Sequence, residues 1–226
     1  MRMRKKAHLE ERLEKCVESG RLLILNCEDR NFVTSVKTKE YLDLEALFGN
    51  KNPIVMEIGA GKGQFACELA GRYPNINILA VERTANVIVE AAEKGIALGL
   101  KNLMFLRCDA EYLEKFIPDG VVTRLYLNFS CPFPKKSYAA HRLTHHKFLR
   151  IYDKLLAPGA QIHQKTDNRE FFEFSINELS GYGFTLQNVC LDLHANEPED
   201  NIMTEYEKRF TEMGKPIYRL EAYLKR

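Results

Sequence analysis

No apolar run in the 226-residue chain approaches a membrane span; the longest, such as Leu22 to Leu25, fall far short of the roughly 20 residues a bilayer crossing needs. A soluble protein is expected. An export signal is also lacking: the basic opening Met1-Arg2-Met3-Arg4-Lys5-Lys6 leads into Ala7 to Lys15, which holds Glu10, Glu11 and Glu14 where an apolar stretch would be required. The six cysteines form no C-x-x-C pair and no Cys/His cluster at zinc spacing, so reduced thiols, a cytoplasmic setting and no metal are expected. Charge of one sign is missing too. At a formal +2, bulk electrostatics gives no argument for a polyanionic partner, and any nucleic-acid footprint must be local. The local candidates are Arg2, Arg4, Lys5 and Lys6, and Lys135-Lys136 with His141, Arg142, His145, His146 and Lys147 beyond; each reads equally as a solvated face.

There is no internal repeat and no low-complexity linker, which excludes solenoids and tethered arrays. With 45% hydrophobic and 28% charged residues, the length suits one domain over residues 51–226, preceded by a basic, helical leader and entry segment over 1–50. From Ile54 to Lys165, apolar runs alternate with helix-length amphipathic stretches, as in βαβ units on a parallel sheet. Strands are expected at Ile54 to Ile58, Ile76 to Val81, Leu103 to Leu106, Val121 to Leu127 and Ala160 to Gln164. Helices are expected at Gln64 to Gly71, Asn86 to Leu98, Arg142 to Leu156 and Arg169 to Leu179. The end of the chain departs from the alternation. Phe184 to Leu191 and Ile217 to Leu224 read as strands, joined by an acidic loop and a helix near Met203 to Met213, which suits an antiparallel pair at a sheet edge.

The segment Glu57-Ile58-Gly59-Ala60-Gly61-Lys62-Gly63-Gln64 is a buried strand running into a glycine turn that opens a helix. A nicotinamide fingerprint needs G-x-G-x-x-G, and from Gly59 the sixth position is Gln64, so that reading fails on spacing. E-x-G-x-G-x-G instead fits the turn by which class I methyltransferases hold the methionine and ribose parts of S-adenosylmethionine. The next strand ends in Glu82, 25 residues after Glu57, where a carboxylate can accept from both ribose hydroxyls. The strand after that ends in Asp109, at the station that typically meets the adenine amino group. Each acid alone also reads as a surface acid or helix cap; together they converge where open α/β sheets bind ligands.

The loop Asn128-Phe129-Ser130-Cys131-Pro132-Phe133-Pro134-Lys135-Lys136 resembles the N-F-S-D-P-W-P-K-K loop of the bacterial tRNA (guanine-N7-)-methyltransferases. His163-Gln164-Lys165-Thr166-Asp167-Asn168, Asn201-Ile202-Met203-Thr204-Glu205-Tyr206-Glu207 and Gly214-Lys215-Pro216-Ile217-Tyr218 match the same family. The resemblance implies a Rossmann-like class I methyltransferase fold: an α/β, mostly parallel seven-stranded sheet with an antiparallel strand near the C-terminus and helices on both faces. It implies methyl transfer from S-adenosylmethionine to N7 of a guanine in the tRNA variable loop. Glu57, Gly59, Gly61, Gly63, Glu82, Asp109 and Asn128 would bind the cofactor. Lys135, Asp167, Thr204, Glu205, Tyr206 and Glu207 would hold the substrate nucleotide, with Asp167 or Glu207 accepting from the guanine N1–H and N2–H edge. Arg2, Arg4, Lys5, Lys6, Lys136, His141 and Arg142 would contact RNA, and residues 1–6 are expected to order on tRNA.

On spacing alone, Asp167-x-x-Glu170 and Thr204-x-x-Glu207 are capping-box patterns. Cys131 stands where the family loop has Asp, at the catalytic or cofactor-facing station, and Phe133 where it has Trp. Two other readings follow. One is a non-catalytic paralogue that binds cofactor or tRNA. The other is an RNA pyrimidine-5 methyltransferase in which Cys131, assisted by Lys135, attacks C6. The plain structural reading of Cys131 is a buried, inert thiol.

Overall fold

The computed structural model describes residues 6–27 and 32–225, and the chain divides into two compact units, Met1–Pro118 and Asp119–Arg226. The first unit contains, in order, α1 (Leu9–Glu18), β1 (Leu22–Ile24), α2 (Phe32–Lys37), α3 (Leu44–Phe48), β2 (Ile54–Ile58), α4 (Gln64–Arg72), β3 (Asn77–Val81), α5 (Ala85–Ala97), β4 (Leu103–Arg107), a 3-10 turn Ala110–Tyr112 and α6 (Leu113–Phe116). Its strands lie in the order β1-β4-β3-β2 and every pairing is parallel. β2 and β3 are buried at every position, as expected of continuous apolar strands covered on both faces. The helix α5 turns Ile88, Val89, Ala91, Ala92 and Gly95 inward, at i, i+1, i+3, i+4 and i+7.

The leader is integral to this unit. α1 buries Leu9, Leu13 and Cys16, and the Arg12 guanidinium forks onto Glu93 of α5 at 2.7 and 2.6 Å. The apolar run Leu22 to Leu25 becomes β1, which pairs with β4 through Leu22 and Phe105. That strand brings the total to eight among the described residues, not the expected seven.

The second unit contains β5 (Val122–Asn128), a 3-10 turn Lys136–His141, α7 (His146–Leu155), β6 (Leu156–Thr166), α8 (Arg169–Tyr182), β7 (Thr185–Cys190), a 3-10 turn Leu193–Asn196, α9 (Glu205–Glu212) and β8 (Tyr218–Tyr223). Its strands run β5-β6-β8-β7; β5 and β6 are parallel, and β8 is antiparallel to both β6 and β7. Two boundaries differ from expectation. The helix expected from Arg142 starts at His146, because the His145 side chain accepts from Lys147 N–H and caps it. The strand expected from Ala160 begins at Leu156, the extra residues being absorbed by a register shift between Val122 and Arg124. Beneath β6, Ser175 donates to Phe171 O (2.8 Å) and accepts from Gln164 (2.9 Å) and Thr144 (2.8 Å), so one hydroxyl ties three buried polar side chains together. No helix among the described residues is long and apolar enough to cross a membrane.

His163 of β6 sits beside Tyr126 of β5 and 3.7 Å from the buried Glu221 carboxylate of β8. Burial lowers its pKa to about 3, with the positive charges of Arg124, Arg219 and Lys165 acting the same way. Glu221 pulls in the opposite direction, but it already accepts from Arg219, Asn188 and Gln187, so burial prevails. The unfolded chain therefore binds a proton below the ordinary 6.5 that the fold refuses. The contribution is full above that value and is lost as pH falls towards the folded pKa. Urea unfolding is expected to show stability falling by up to about 1.4 kcal/mol per pH unit on acidification towards about pH 5 from this group, a component absent from His163→Gln.

Candidate functional site

In the first unit the glycine turn and all three acids gather at one edge of the sheet. β2 pairs with β3 through Glu57 with Ala80 and Ile58 with Val81, and Val81 pairs with Leu106 of β4, so Glu57, Glu82 and Asp109 stand at the carboxyl ends of three adjacent parallel strands. Glu57 is buried within β2. Glu82 accepts from Thr84 N–H at 2.8 Å through one oxygen. Asp109 caps the following 3-10 turn, accepting from Glu111 N–H at 3.2 Å, and lies 3.7 Å from the Arg83 guanidinium. The cap and surface-acid readings are thus present, and each leaves acceptor capacity on the carboxylate.

The turn itself is held by Gly59 and Ala60 N–H groups that both donate to Val81 O, at 2.8 and 3.0 Å. Gly59, Gly61 and Gly63 all have positive φ. At Gly63 a second constraint applies: a Cβ there would lie 2.7 Å from Cβ of Ala91 and 3.2 Å from the Phe105 ring. The residue that opens α4 must therefore be glycine both for its backbone and for the packing of α4 on α5 and β4. An acid-lined edge with a glycine turn is suited to a ligand carrying hydroxyl and amino donors, which is the chemistry of a nucleoside.

In the second unit the loop after β5 is bent at two bulky residues, Phe129 (φ 49°) and Phe133 (φ 41°), a conformation that costs such residues about 1–3 kcal/mol each. Specific contacts offset it. Phe129 N–H donates to Lys165 O at 2.8 Å, and its ring stacks on Tyr206 and Phe210 of α9 with centroids 6.3 and 6.0 Å apart. Arg142 donates to Pro132 O (2.9 Å) and Phe133 O (3.0 Å) while lying 4.4 Å over the Phe174 ring. Arg142, expected to contact RNA, is therefore the clamp of this loop. Asn128 is buried at the end of β5, whereas Cys131, Lys135, Lys136 and His141 are exposed. The reading of Cys131 as a buried thiol is corrected: the clamped loop holds it at the surface.

The segment around α9 separates scaffold from surface. Thr204 and Glu207 form a full capping box, and Glu207 is completely buried. Its carboxylate accepts from Lys165 Nζ (2.9 Å), Asn201 Nδ2 (2.9 Å) and Thr204 N–H (3.3 Å), and lies 3.3 Å from His194 Nε2. Lys165 directs its remaining hydrogens to Ile202 O (3.0 Å) and Asn201 Oδ1. Burial pulls the Lys165 pKa down and the Glu207 charge pushes it back. Glu207, expected at the guanine edge, is instead the core of this network, with both oxygens engaged. Asp167 remains half-exposed, 3.3 Å from Lys215, and is not the cap of α8; Asn168 holds that place, accepting from Phe171 N–H at 2.8 Å. Glu205 and Tyr206 are exposed, Tyr206 by 56%.

Arg2, Arg4 and Lys5 lie outside the described residues. Lys6 pairs with Glu90 of α5, and its backbone N–H donates to Asn86, so it is held within the first unit rather than presented to RNA. Sequence reasoning passed over Lys165 and the loop clamp. The signal for the first was available: Gln164, Lys165 and Thr166 are successive polar residues closing the strand, and all three are buried. His194 gave no signal, since it comes from a loop with no periodicity.

Two stability differences follow. Gly63→Ala is expected to destabilise the protein by roughly 2–4 kcal/mol from combined strain and overpacking, against about 1–2 kcal/mol for Gly49→Ala, where φ is also positive but no atom lies within 4 Å of the added Cβ. Glu207→Ala, which strands the buried Lys165 charge, should remove about 3–5 kcal/mol in urea unfolding.

A family model described as "Putative methyltransferase" matches residues 51–220. The chain is 50% identical over 179 residues to the tRNA (guanine-N(7)-)-methyltransferase of Lysinibacillus sphaericus, covering 79% of this chain and 83% of that protein. It is 48% identical over 176 residues to the protein of the same name from Geobacillus kaustophilus, covering 78% and 81%. Among solved structures, a 16S rRNA methyltransferase, KamB, aligns with TM-score 0.57 at 18% identity, over 81% of this chain and 93% of that one. A precorrin-6y C5,15-methyltransferase from Geobacter metallireducens aligns with TM-score 0.54 at 14% identity, over 85% of each chain. These distant structures share the class I methyltransferase fold. With about half of the aligned residues identical to such relatives across most of both chains, the protein belongs to the tRNA (guanine-N(7)-)-methyltransferase family.

Proposed function

We propose that this protein transfers a methyl group from S-adenosylmethionine to N7 of a guanine in the tRNA variable loop. The observation that carries the reading is the row of acids at the carboxyl ends of β2, β3 and β4 beside the positive-φ glycine turn, in a chain half identical to enzymes of that name. The first unit's residues fit the cofactor: Glu57 and the Gly59–Gly63 turn for its methionine and ribose portions, Glu82 for the ribose hydroxyls, Asp109 for the adenine amino group. When bound, S-adenosylmethionine supplies a methyl group made electrophilic by an adjacent sulfonium.

Guanine N7 carries a lone pair and no proton at neutral pH, so no side chain need act as a base to create the nucleophile. The work left to the protein is to orient the base and exclude water. That is why Cys131 at the family's Asp station is compatible with turnover. Asp167 is the carboxylate for the guanine N1–H and N2–H edge, because Glu207 is consumed by Lys165, Asn201 and Thr204. Tyr206 and Glu205 offer exposed side chains beside it in sequence order, on a helix start fixed by Thr204. Lys135, Lys136 and His141 are exposed on the same loop segment, and the two lysines supply local positive charge for phosphates. The binding-only and pyrimidine readings drawn from Cys131 have no comparable support, since the relatives carry the name of a guanine-N7 reaction.

Labelled S-adenosylmethionine and unmodified bulk tRNA should yield 7-methylguanosine on nucleoside analysis. Cys131→Ser should retain most of that activity, and no covalent adduct should form with 5-fluoropyrimidine RNA; adduct formation lost in Cys131→Ser would establish the pyrimidine reading. Glu82→Ala should raise the KM for the cofactor on the order of 10- to 100-fold with a smaller effect on kcat. Cofactor binding with no methylated product would leave a binding protein.

A further inference from the structure

Cys27 and Cys108 approach within 3.4 Å, sulfur to sulfur. The fold brings them together: β1 runs parallel to β4 with Ile24 opposite Arg107, and Leu25 N–H donates to Arg107 O at 3.1 Å, so the chain leaving β1 carries Cys27 past the end of β4 to Cys108. The two thiols are unequal. Cys108 is buried and Cys27 is half-buried, so Cys27 is the more accessible of the two residues. The hydrogen bond between the two sulfurs lowers the Cys27 pKa to about 7, whereas the same contact and burial raise that of Cys108, whose thiol also donates to Asp109 O at 3.2 Å. By contrast, burial pushes Cys67 up to about 11, and Cys16 is raised for the same reason.

We propose that Cys27 and Cys108 form a redox modification site in which peroxide converts the pair to a disulfide, displacing the neighbouring Asp109 and weakening cofactor binding. The Cys27 thiolate attacks one oxygen of hydrogen peroxide, the O–O bond breaks, and hydroxide leaves, giving a sulfenic acid on Cys27. The Cys108 sulfur then attacks that sulfur; the S–S bond forms, the S–O bond breaks, and the Cys108 proton leaves with the hydroxyl as water. Two electrons pass from the thiols to peroxide. Closing the sulfurs from 3.4 Å to the roughly 2 Å of a disulfide pulls on the backbone of Cys108, whose carbonyl is bonded directly to the nitrogen of Asp109. The effect on cofactor binding rests on the role of Asp109 proposed above; the disulfide itself does not.

The test takes the full-length protein, fully reduced, exposes it to hydrogen peroxide, blocks remaining thiols and maps peptides by mass, with calorimetry of S-adenosylmethionine binding on the same samples. The expected result is a Cys27–Cys108 linked peptide that dithiothreitol abolishes, and affinity weakened by roughly tenfold or more, restored on reduction. Cys27→Ser, a change at a half-buried position, should give no linked peptide and an affinity insensitive to peroxide. Sulfinic acid on Cys27 with Cys108 still blockable would overturn the site. A linked peptide with unchanged affinity would overturn the coupling to Asp109, and a reduced protein that binds no cofactor would overturn the cofactor assignment while leaving the peptide result to judge the disulfide.

Discussion

A strand buried on both faces has no place along its length for an uncompensated charge, because removing an ion from water costs several kcal/mol even after relaxation. Ile54–Ile58, Asn77–Val81 and Leu103–Arg107 are strands of this kind, and their charged groups fall at or just beyond their carboxyl ends. Parallel pairing then aligns those ends. Three acids widely separated in the chain are brought to adjacent strand ends through strand register alone.

The same constraint is met differently in the second unit. At the end of β6 the buried charge of Lys165 is not offered to a ligand; it is fully matched by Glu207, Asn201 and the Ile202 carbonyl. That network fixes the start of α9, and α9 supplies the rings on which Phe129 stacks. Strain at Phe129 is thereby held in place by groups far away in sequence and that at Phe133 by the nearby Arg142, and the loop so held keeps Cys131 and Lys135 at the surface. Stability and site geometry are here one arrangement of contacts.

Much of this was legible from residue order. The alternation of apolar runs and amphipathic stretches located β2 to β5 and α4, α5 and α8 within a few residues, since period and burial are local properties. The acids and the glycine turn were equally visible, because strand-end position is a local property too. β1 was not recognised as a strand: three apolar residues carry no periodicity, and only pairing with β4 makes them one. The capping pattern starting at Asp167 does not form, because the adjacent Asn168 takes the N-cap place and accepts from Phe171 N–H. Arg142 and Lys6 read as solvated charges, yet the carbonyls of Pro132 and Phe133 and the carboxylate of Glu90 claim them.

What the sequence by itself determined is the class of fold, the acid-lined edge beside the glycine turn and the family, since each depends on spacing within a strand, a turn or a short motif. The tertiary structure alone decided which members of a motif lie at the surface and which hold the fold. Thr204, Glu205, Tyr206 and Glu207 are consecutive and look alike on paper, but helix geometry turns Glu207 inward to Lys165 and leaves Tyr206 outside. The reason is that partnership in a buried ion pair is settled by three-dimensional proximity, and Lys165 lies 42 residues earlier in the chain.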